Sequence, residues 1–425
     1  MANSNGTSKP LKKRSSTRRN RRRALLKFAC CAALGLTLGL ARDVSPINDQ
    51  AVQAALARSP QGPEALLVNG LLEISHSHLD TAMIEIDNAI KAYPNFRLAH
   101  LIKGDLLLAH TRPINTIGDA PNAPRQRIME LREEAKARLQ RRSQNRPLGE
   151  IPKYLLQMQP EQHYAIVVDV SLSTLYVYQN ANGEPRYVTD FYISSGKNGA
   201  EKLKEGDQRT PLGVYYVTAD LPKSQLSDFY GAGAYPISYP NEWDRQHGRN
   251  GHGIWLHGTP SDTYSRPPHS SNGCVVLTNQ DLATLGKTLQ VGLTPVIIAE
   301  HVEWASAESW RTERDALSKQ IENWRREWEN RDTEAYLGYY AKTFNANGQT
   351  LAQWADQKRR VNQAKSWITV KISNVSMFLY PGYGNLAVVN FDQDYSSSNL
   401  STRMKKRQYW VNENNHWKII YEGAG

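Results

Sequence analysis

Two residues of this chain, a histidine and a cysteine, have the types and spacing for acyl-transfer chemistry. His257 ends the stretch WLH, and Cys274 follows a glycine in SSNGCVVL, seventeen residues later. A thiol becomes a strong nucleophile when a nearby histidine takes its proton. Gly273 permits a tight turn, so the N–H groups of Gly273 and Cys274 can point at one spot and stabilise an oxyanion. These residues indicate a thiol nucleophile with its base; an inert buried cysteine is the alternative.

Cysteine usage favours the reactive thiol. The chain has three cysteines, and Cys30 and Cys31 lie inside an apolar run near the N-terminus. If that run is removed, Cys274 has no partner for an internal disulfide. An odd cysteine in an exported protein indicates a reactive thiol or an intermolecular bridge.

The first 42 residues predict export. Residues 1–41 carry ten basic and no acidic side chains, which accounts for most of the net charge of +11. The remainder is therefore close to neutral, and no nucleic-acid partner is predicted. The apolar run 28–41 is shorter than the ~20 residues of a spanning helix and ends in a small-x-small pattern. We expect a signal peptide or an uncleaved anchor over 24–41, with the rest of the chain in the periplasm.

Residues 46–144 have a helical pattern. Gly70 and Gly104 are 34 residues apart, with apolar positions around them at the same spacing. This period resembles the tetratricopeptide repeat. We expect a small helical domain that binds a cell-wall protein, or a helical spacer. The segment Arg125–Ser143 predicts a strongly charged helix that is either solvated or bridging.

The two candidate residues lie in a region of different periodicity. From His163 apolar residues alternate with polar ones, and Asn182-Gly183 predicts a hairpin turn. We expect a mostly-β domain over 150–301, in which His257 ends a strand. Residues 305–425 read as helices followed by long strands and resemble an NTF2-like α+β domain.

The stretches KEGDQRTPLGVYYV, GHGIWLHG and SSNGCVVL together resemble the L,D-transpeptidase (YkuD-type) catalytic domain, from about residue 163 to 300. The resemblance implies a β-sandwich whose cysteine attacks the bond between an L and a D centre in a peptidoglycan stem tetrapeptide. The predicted fold class is thus multidomain α+β: TPR-like helices, a transpeptidase sandwich and an NTF2-like domain.

The resemblance also assigns roles to individual residues. Cys274 is the nucleophile, His257 the general base and acid, and the Gly258 carbonyl holds the second imidazole nitrogen. The N–H groups of Gly273 and Cys274 form the oxyanion hole. Candidates for shaping the loop or binding substrate are Ser271, Asn272 and Arg209, of which Arg209 could pair with a substrate carboxylate or form a structural ion pair.

Two departures from the family motif leave the reaction outcome open. Asn272 stands where the family has histidine, and Val276 stands where it has an arginine thought to orient the substrate. With an NTF2-like domain, this variant resembles the cell-shape-determining L,D-carboxypeptidases of helical bacteria. Three hypotheses follow: an L,D-transpeptidase, an L,D-carboxypeptidase or amide hydrolase, and a catalytically decayed scaffold.

No metal or organic cofactor is predicted. His252 and His269 lie near His257 in sequence, but their spacing lacks an HExxH motif or a paired carboxylate.

Overall fold

The computed structural model describes residues 62–120, 122–144, 147, 149–346 and 348–425. The chain divides into two units, residues 1–144 and residues 145–425. The export signal predicted over residues 1–42 lies outside the described residues. Within the described ranges, no helix is long and apolar enough to cross a membrane.

The first unit contains helices α1 (Pro63–Ser75), α2 (Leu79–Ala92), α3 (Arg97–Ala109) and α4 (Arg125–Ser143). α1 and α2 are close neighbours at Gly70, where an added Cβ would lie 2.8 Å from Cδ1 of Ile86. At Gly104 an added Cβ would meet no atom within 4 Å. The two glycines that define the 34-residue spacing therefore have different surroundings.

Of the two alternatives for Arg125–Ser143, a solvated or a bridging helix, the structure contradicts the solvated one. One face of α4 is buried, and Arg138 is only 1% exposed. Its guanidinium donates to Glu134 Oε1 at 2.9 Å and forms an ion pair with Glu64 of α1. Hydropathy alone misses this face because its charges are neutralised by partners from another helix.

The second unit begins with the mostly-β region. Its strands and helices are β1 (Glu150–Pro152), β2 (Leu155–Gln157), β3 (Tyr164–Asp169), β4 (Thr174–Ala181), β5 (Glu184–Tyr192), β6 (Ser195–Gly196), β7 (Gly213–Tyr216), β8 (Leu221–Pro222), β9 (Gly233–Pro236), α5 (Glu242–Gln246), β10 (Trp255–His257), β11 (His269–Ser271), β12 (Val275–Val276), α6 (Asn279–Gly286), β13 (Pro295–Ala299) and β14 (Trp304–Ser306). Short 3₁₀ turns cover Lys223–Gln225 and Asp228–Tyr230. The hairpin between β4 and β5 turns at Asn182 and Gly183, both with positive φ.

Two sheets of this region pack face to face. One has the strand order β5-β4-β3-β13-β7 and the other β12-β10-β9-β8. Ile166 and Val168 of β3 share a core with Leu256 and Val275 of the second sheet. Ala165 and Val167 of the same strand pack into a different core, on the opposite face. A strand buried on both faces requires a continuous apolar run, which explains the segment YAIVVD.

The opposite face of β3 is covered by the C-terminal region. It consists of α7 (Ala307–Glu329), α8 (Thr333–Leu337), β15 (Asn345–Ala346), β16 (Gln349–Thr350), α9 (Leu351–Gln363), β17 (Ile368–Leu379), β18 (Leu386–Ser397), β19 (Leu400–Glu413) and β20 (His416–Ala424). The four long strands form an antiparallel sheet in sequential order. α7 lies on this sheet and buries Trp310, Trp324 and Trp328.

One strand of the segment assigned to the mostly-β domain joins the C-terminal sheet instead. β2 pairs with β17, with Leu155 opposite Phe378. The Leu155 carbonyl also accepts a hydrogen bond of 2.7 Å from the indole N–H of Trp310. The two regions of this unit therefore share a sheet and a core, and local sequence does not reveal a pairing with a strand more than two hundred residues away.

Candidate active site

The site lies where β10 and β12 run parallel to each other. Their register places Leu256 beside Val275 and His257 beside Val276. Cys274 immediately precedes β12, so it lies next to β10, near the residue two positions before His257. Strand pairing therefore brings the histidine and the cysteine to one edge of the four-stranded sheet.

His257 is buried and held in one orientation. Its Nδ1 lies 2.7 Å from the Gly258 carbonyl oxygen, and that oxygen can only accept, so Nδ1 carries the proton. Burial lowers the pKa of His257 to about 4; the Gly258 carbonyl opposes this change and the charge of Arg266 adds to it. At neutral pH the imidazole is uncharged, and Nε2 is free to take a proton.

The thiol of Cys274 is partly exposed but lies in a poorly solvated environment. Its sulfur donates to the Gly253 carbonyl at 3.3 Å. Burial raises the pKa of the Cys274 thiol, and the Trp255 N–H and the charges of Arg266 and Lys202 offset only part of that rise. The resting site is therefore a neutral thiol beside a neutral imidazole, and thiolate forms as the proton leaves.

The turn before Cys274 is closed by Ser271. Its hydroxyl donates to the Cys274 carbonyl at 2.6 Å and accepts the Gly273 N–H at 3.1 Å. The expected oxyanion hole therefore needs correction: the Gly273 N–H is already bonded within its own turn. Among the described residues, the Cys274 N–H has no acceptor and can serve this role.

Gly273 is required by its surroundings. Its φ of 122° is a conformation that side chains disfavour, and an added Cβ would lie 2.7 Å from the Arg209 carbonyl oxygen. Thr210 fixes the same turn, since its hydroxyl donates to the Gly273 carbonyl at 3.1 Å. Arg209 and Thr210 belong to the loop that leads into β7, so this loop packs against the turn before Cys274.

Asn279 holds the loop around Gly258. Its amide donates to the Thr259 carbonyl at 2.8 Å, and its oxygen accepts the Ala232 N–H at 2.8 Å. An added Cβ at Gly258 would lie 2.1 Å from that oxygen. The carbonyl that orients His257 is therefore positioned by a side chain at the start of α6, a residue that the sequence motif does not identify.

An aromatic wall borders the histidine. The Tyr230 ring centroid is 4.7 Å from that of Trp255 and 5.2 Å from that of His257. Phe229 lies 5.8 Å from His257 and is 47% exposed. Trp255 is half-buried in this wall rather than in the core. Such a surface suits an amphipathic peptide substrate.

The remaining predicted site residues have other contacts. The Arg209 guanidinium donates to the Ala200 carbonyl at 2.9 Å, within its own loop. Asn272 is exposed, and its amide oxygen accepts from Gln208 at 3.4 Å. His252 and His269 contact Glu205 and Ser195, respectively, so neither joins His257 in a cluster.

The departure at Val276 has a structural counterpart. The side chain of Val276 is 2% exposed. Its backbone pairs with His257 of β10 and forms an isolated β-bridge with Ser194. This position therefore carries a buried apolar side chain where the family has a cation. Arg266, in the loop between β10 and β11, supplies a cation to the cleft from another part of the chain, and no motif in the sequence indicates it.

Comparisons with known proteins agree with this architecture. Residues 163–298 match the family model of the L,D-transpeptidase catalytic domain (YkuD), and residues 316–423 match that of the Cds6 C-terminal NTF2-like domain. The chain thus contains both domains, and the predicted α+β fold class is confirmed. No curated protein sequence matches the chain.

Two solved structures are similar to about two thirds of this chain. Bd1075 of Bdellovibrio bacteriovorus is 28% identical, with a TM-score of 0.58 over 65% of this chain and 98% of that chain. Pgp2 of Campylobacter jejuni, a helical cell shape determining protein, is 25% identical, with a TM-score of 0.55 over 64% of this chain and 95% of that chain.

Proposed function

We propose that the protein is a cysteine-dependent L,D-transpeptidase that acts on peptidoglycan stem tetrapeptides through a thioester on Cys274. One observation carries the proposal. In a domain that matches the transpeptidase catalytic family, a neutral His257 with its Nε2 unprotonated lies on the strand beside the cysteine.

In the first half-reaction, His257 Nε2 takes the thiol proton as the sulfur attacks the carbonyl carbon that precedes the terminal D-residue. The Cys274 N–H stabilises the oxyanion. The C–N bond then breaks, the leaving amine takes the proton from His257, and the acyl group remains on sulfur. The depressed pKa of the imidazole makes it a strong proton donor once it is charged, which favours departure of the amine.

In the second half-reaction, an amine or water attacks the thioester and gives a proton to His257. The C–S bond breaks, and the thiolate recovers the proton. An amine acceptor makes the enzyme a transpeptidase, and water makes it an L,D-carboxypeptidase. The carboxypeptidase is the second candidate, because Val276 stands where the family has an arginine thought to orient the substrate. The similarity to Pgp2, a helical cell shape determining protein, supports a role in cell shape for either outcome.

Product analysis separates these outcomes. The purified protein is incubated with disaccharide-tetrapeptide, with and without a D-amino acid, and products are identified by mass spectrometry. Exchange of the terminal residue supports a transpeptidase, and tripeptide alone supports a carboxypeptidase. Turnover that persists in Cys274→Ala would overturn the proposal, and no turnover by the unmodified protein would favour a decayed scaffold.

Thiol labelling is a poor substitute for this assay. Because burial raises the pKa of Cys274, slow alkylation at neutral pH is expected of an active enzyme as well as of a scaffold.

The setting of this activity is also part of the proposal. The basic tail and apolar run at residues 1–42 would export the protein to the periplasm or anchor it to the inner membrane. The helical unit and the NTF2-like domain would bind cell-wall proteins. Fractionation of cells that express the full chain with a C-terminal epitope would test the location.

A further inference from the structure

Arg266 is a charged residue of the cleft that the mechanism above does not use. Its guanidinium carbon lies 4.8 Å from the centroid of the Phe229 ring. That ring lies 5.8 Å from the imidazole of His257. The guanidinium is therefore layered over an exposed aromatic ring beside the general base.

Hydrogen bonds from Tyr192 and Ser195 hold the backbone around Arg266. Its carbonyl accepts a hydrogen bond of 3.0 Å from the Tyr192 hydroxyl. Pro267 and Pro268 follow it, and the Pro268 carbonyl accepts the Ser195 N–H at 2.7 Å. Two prolines and two hydrogen bonds hold the backbone of this part of the loop, so the side chain of Arg266 starts from a fixed point beside Phe229.

Unlike two other half-buried arginines of this unit, Arg266 has no anionic partner among the described residues. Arg249 pairs with Asp244, and Arg407 pairs with Glu242. In the part of the chain that the structure describes, no carboxylate forms an ion pair with Arg266, and burial lowers the pKa of its guanidinium. A desolvated guanidinium without a partner is unfavourable unless a ligand supplies the anion.

The position of Arg266 indicates which substrate group it can reach. Its charge acts on both His257 and Cys274, so it is close to the reacting atoms. His257 protonates the leaving nitrogen, and the carboxylate of a terminal residue is separated from that nitrogen by one carbon. A cation layered beside His257 therefore faces the carboxylate of the leaving residue.

We propose that Arg266 binds the free α-carboxylate of the leaving D-residue, and that the enzyme accepts stem peptides with a terminal carboxylate in preference to blocked or extended ones. This inference rests on the proposed function. A guanidinium fork bonds a carboxylate through two parallel hydrogen bonds. Arg266 would then take the place of the arginine that is missing at Val276.

Two synthetic stem tetrapeptides test the inference, one with a terminal D-Ala carboxylate and one with the same residue as a carboxamide. We expect the unmodified protein to show a kcat/KM roughly 10- to 100-fold higher for the acid, the range for a hydrogen bond to a charged group. Arg266→Gln should lose this preference by slowing turnover of the acid alone. Arg266→Lys, which keeps the charge but not the fork, should give an intermediate ratio.

Arg186→Gln is the matched control, because Arg186 is exposed on β5 and its guanidinium donates to the side-chain oxygen of Gln179. It should retain the full preference. Equal turnover of both peptides by the unmodified protein, or an equal loss for both in Arg266→Gln, would overturn the role of Arg266 and leave the proposed function standing. Turnover of neither peptide would overturn the proposed function, and this inference with it.

Discussion

The candidate cleft around Cys274 and the junction between the mostly-β region and the C-terminal sheet use similar side chains in opposite ways. In the junction, Arg407 donates to Glu242 at 2.8 Å and to Asn390 at 2.7 Å. In the cleft, the Nε2 of His257 and the guanidinium of Arg266 have no hydrogen-bonded protein partner among the described residues.

A second buried cluster in the junction follows the same pattern as Arg407. Asp244 accepts from the Tyr215 hydroxyl at 3.1 Å, from the Asn241 N–H at 3.1 Å and from Arg249 at 3.3 Å. Desolvation is offset there by protein partners, as folding requires. In the cleft, His257 and Arg266 are also removed from water, but protein partners do not compensate them in this way. Polar groups without protein partners therefore distinguish the candidate site from the structural junction.

The largest expected effect is the loss of folding stability when the Arg407 side chain is removed. Arg407→Ala leaves the half-buried Glu242 with only its longer pair to Arg245, so we expect the free energy of unfolding to fall by about 3 kcal/mol, the lower end of the range for a buried pair. Arg403→Ala is the control, because Arg403 pairs with Asp394 on the surface and should contribute less than about 1 kcal/mol. Chemical denaturation measures both. Equal effects would show that the junction does not depend on this pair.

The pH dependence of stability should reveal the desolvated histidine. The pKa of His257 is about 4 in the folded protein, and an unfolded histidine has a pKa of about 6.5. As pH falls between these values, the unfolded chain gains a proton that native His257 does not. The contribution of neutral His257 to the free energy of unfolding is therefore complete above about pH 6.5. It is lost as pH falls through the folded pKa, which lowers the free energy of unfolding by about 3 kcal/mol.

Denaturation of the unmodified protein and of His257→Gln at pH 7 and near pH 4 isolates this contribution. The variant should lose less stability on acidification than the unmodified protein, whatever its stability at pH 7. Parallel losses in the two proteins would contradict the buried neutral state of His257.

A smaller effect is expected at Asn279. Asn279→Ala removes both hydrogen bonds that fix Thr259 and Ala232 around Gly258, so the carbonyl that orients His257 gains freedom. We expect kcat to fall about 10-fold with little change in KM, as for other residues that position a reacting group. Asn279→Asp, which can still accept from Ala232, should be intermediate. A loss of stability with unchanged kcat would make Asn279 purely structural.

Much of the fold follows from local patterns in the sequence. The Asn182-Gly183 hairpin and the long C-terminal strands are visible as turn residues and alternation. The buried face of α4 is not, because Arg138 appears polar until Glu64 is brought beside it. The pairing of β2 with the C-terminal sheet is hidden for the same reason: the partner strand is distant in the chain.

Some residues of the candidate site could likewise be predicted from the sequence, and others could not. His257 and Cys274 stand out as candidates by residue type and spacing, and the role of the Gly258 carbonyl is predicted from the family resemblance. The bond between Ser271 and Gly273 removes a predicted oxyanion donor, and only the folded turn reveals it. Arg266 and Asn279 are identified by contacts with other loops, which sequence periodicity does not encode.

The most direct test of the central claim is to detect the acyl-enzyme. The protein is mixed with stem tetrapeptide, quenched in acid within the first turnovers, digested and analysed by mass spectrometry. We expect the peptide containing Cys274 to gain the mass of the substrate without its terminal D-Ala, and Cys274→Ala to show neither adduct nor turnover. Steady turnover by Cys274→Ala, with no adduct on Cys274 in the unmodified protein, would contradict it.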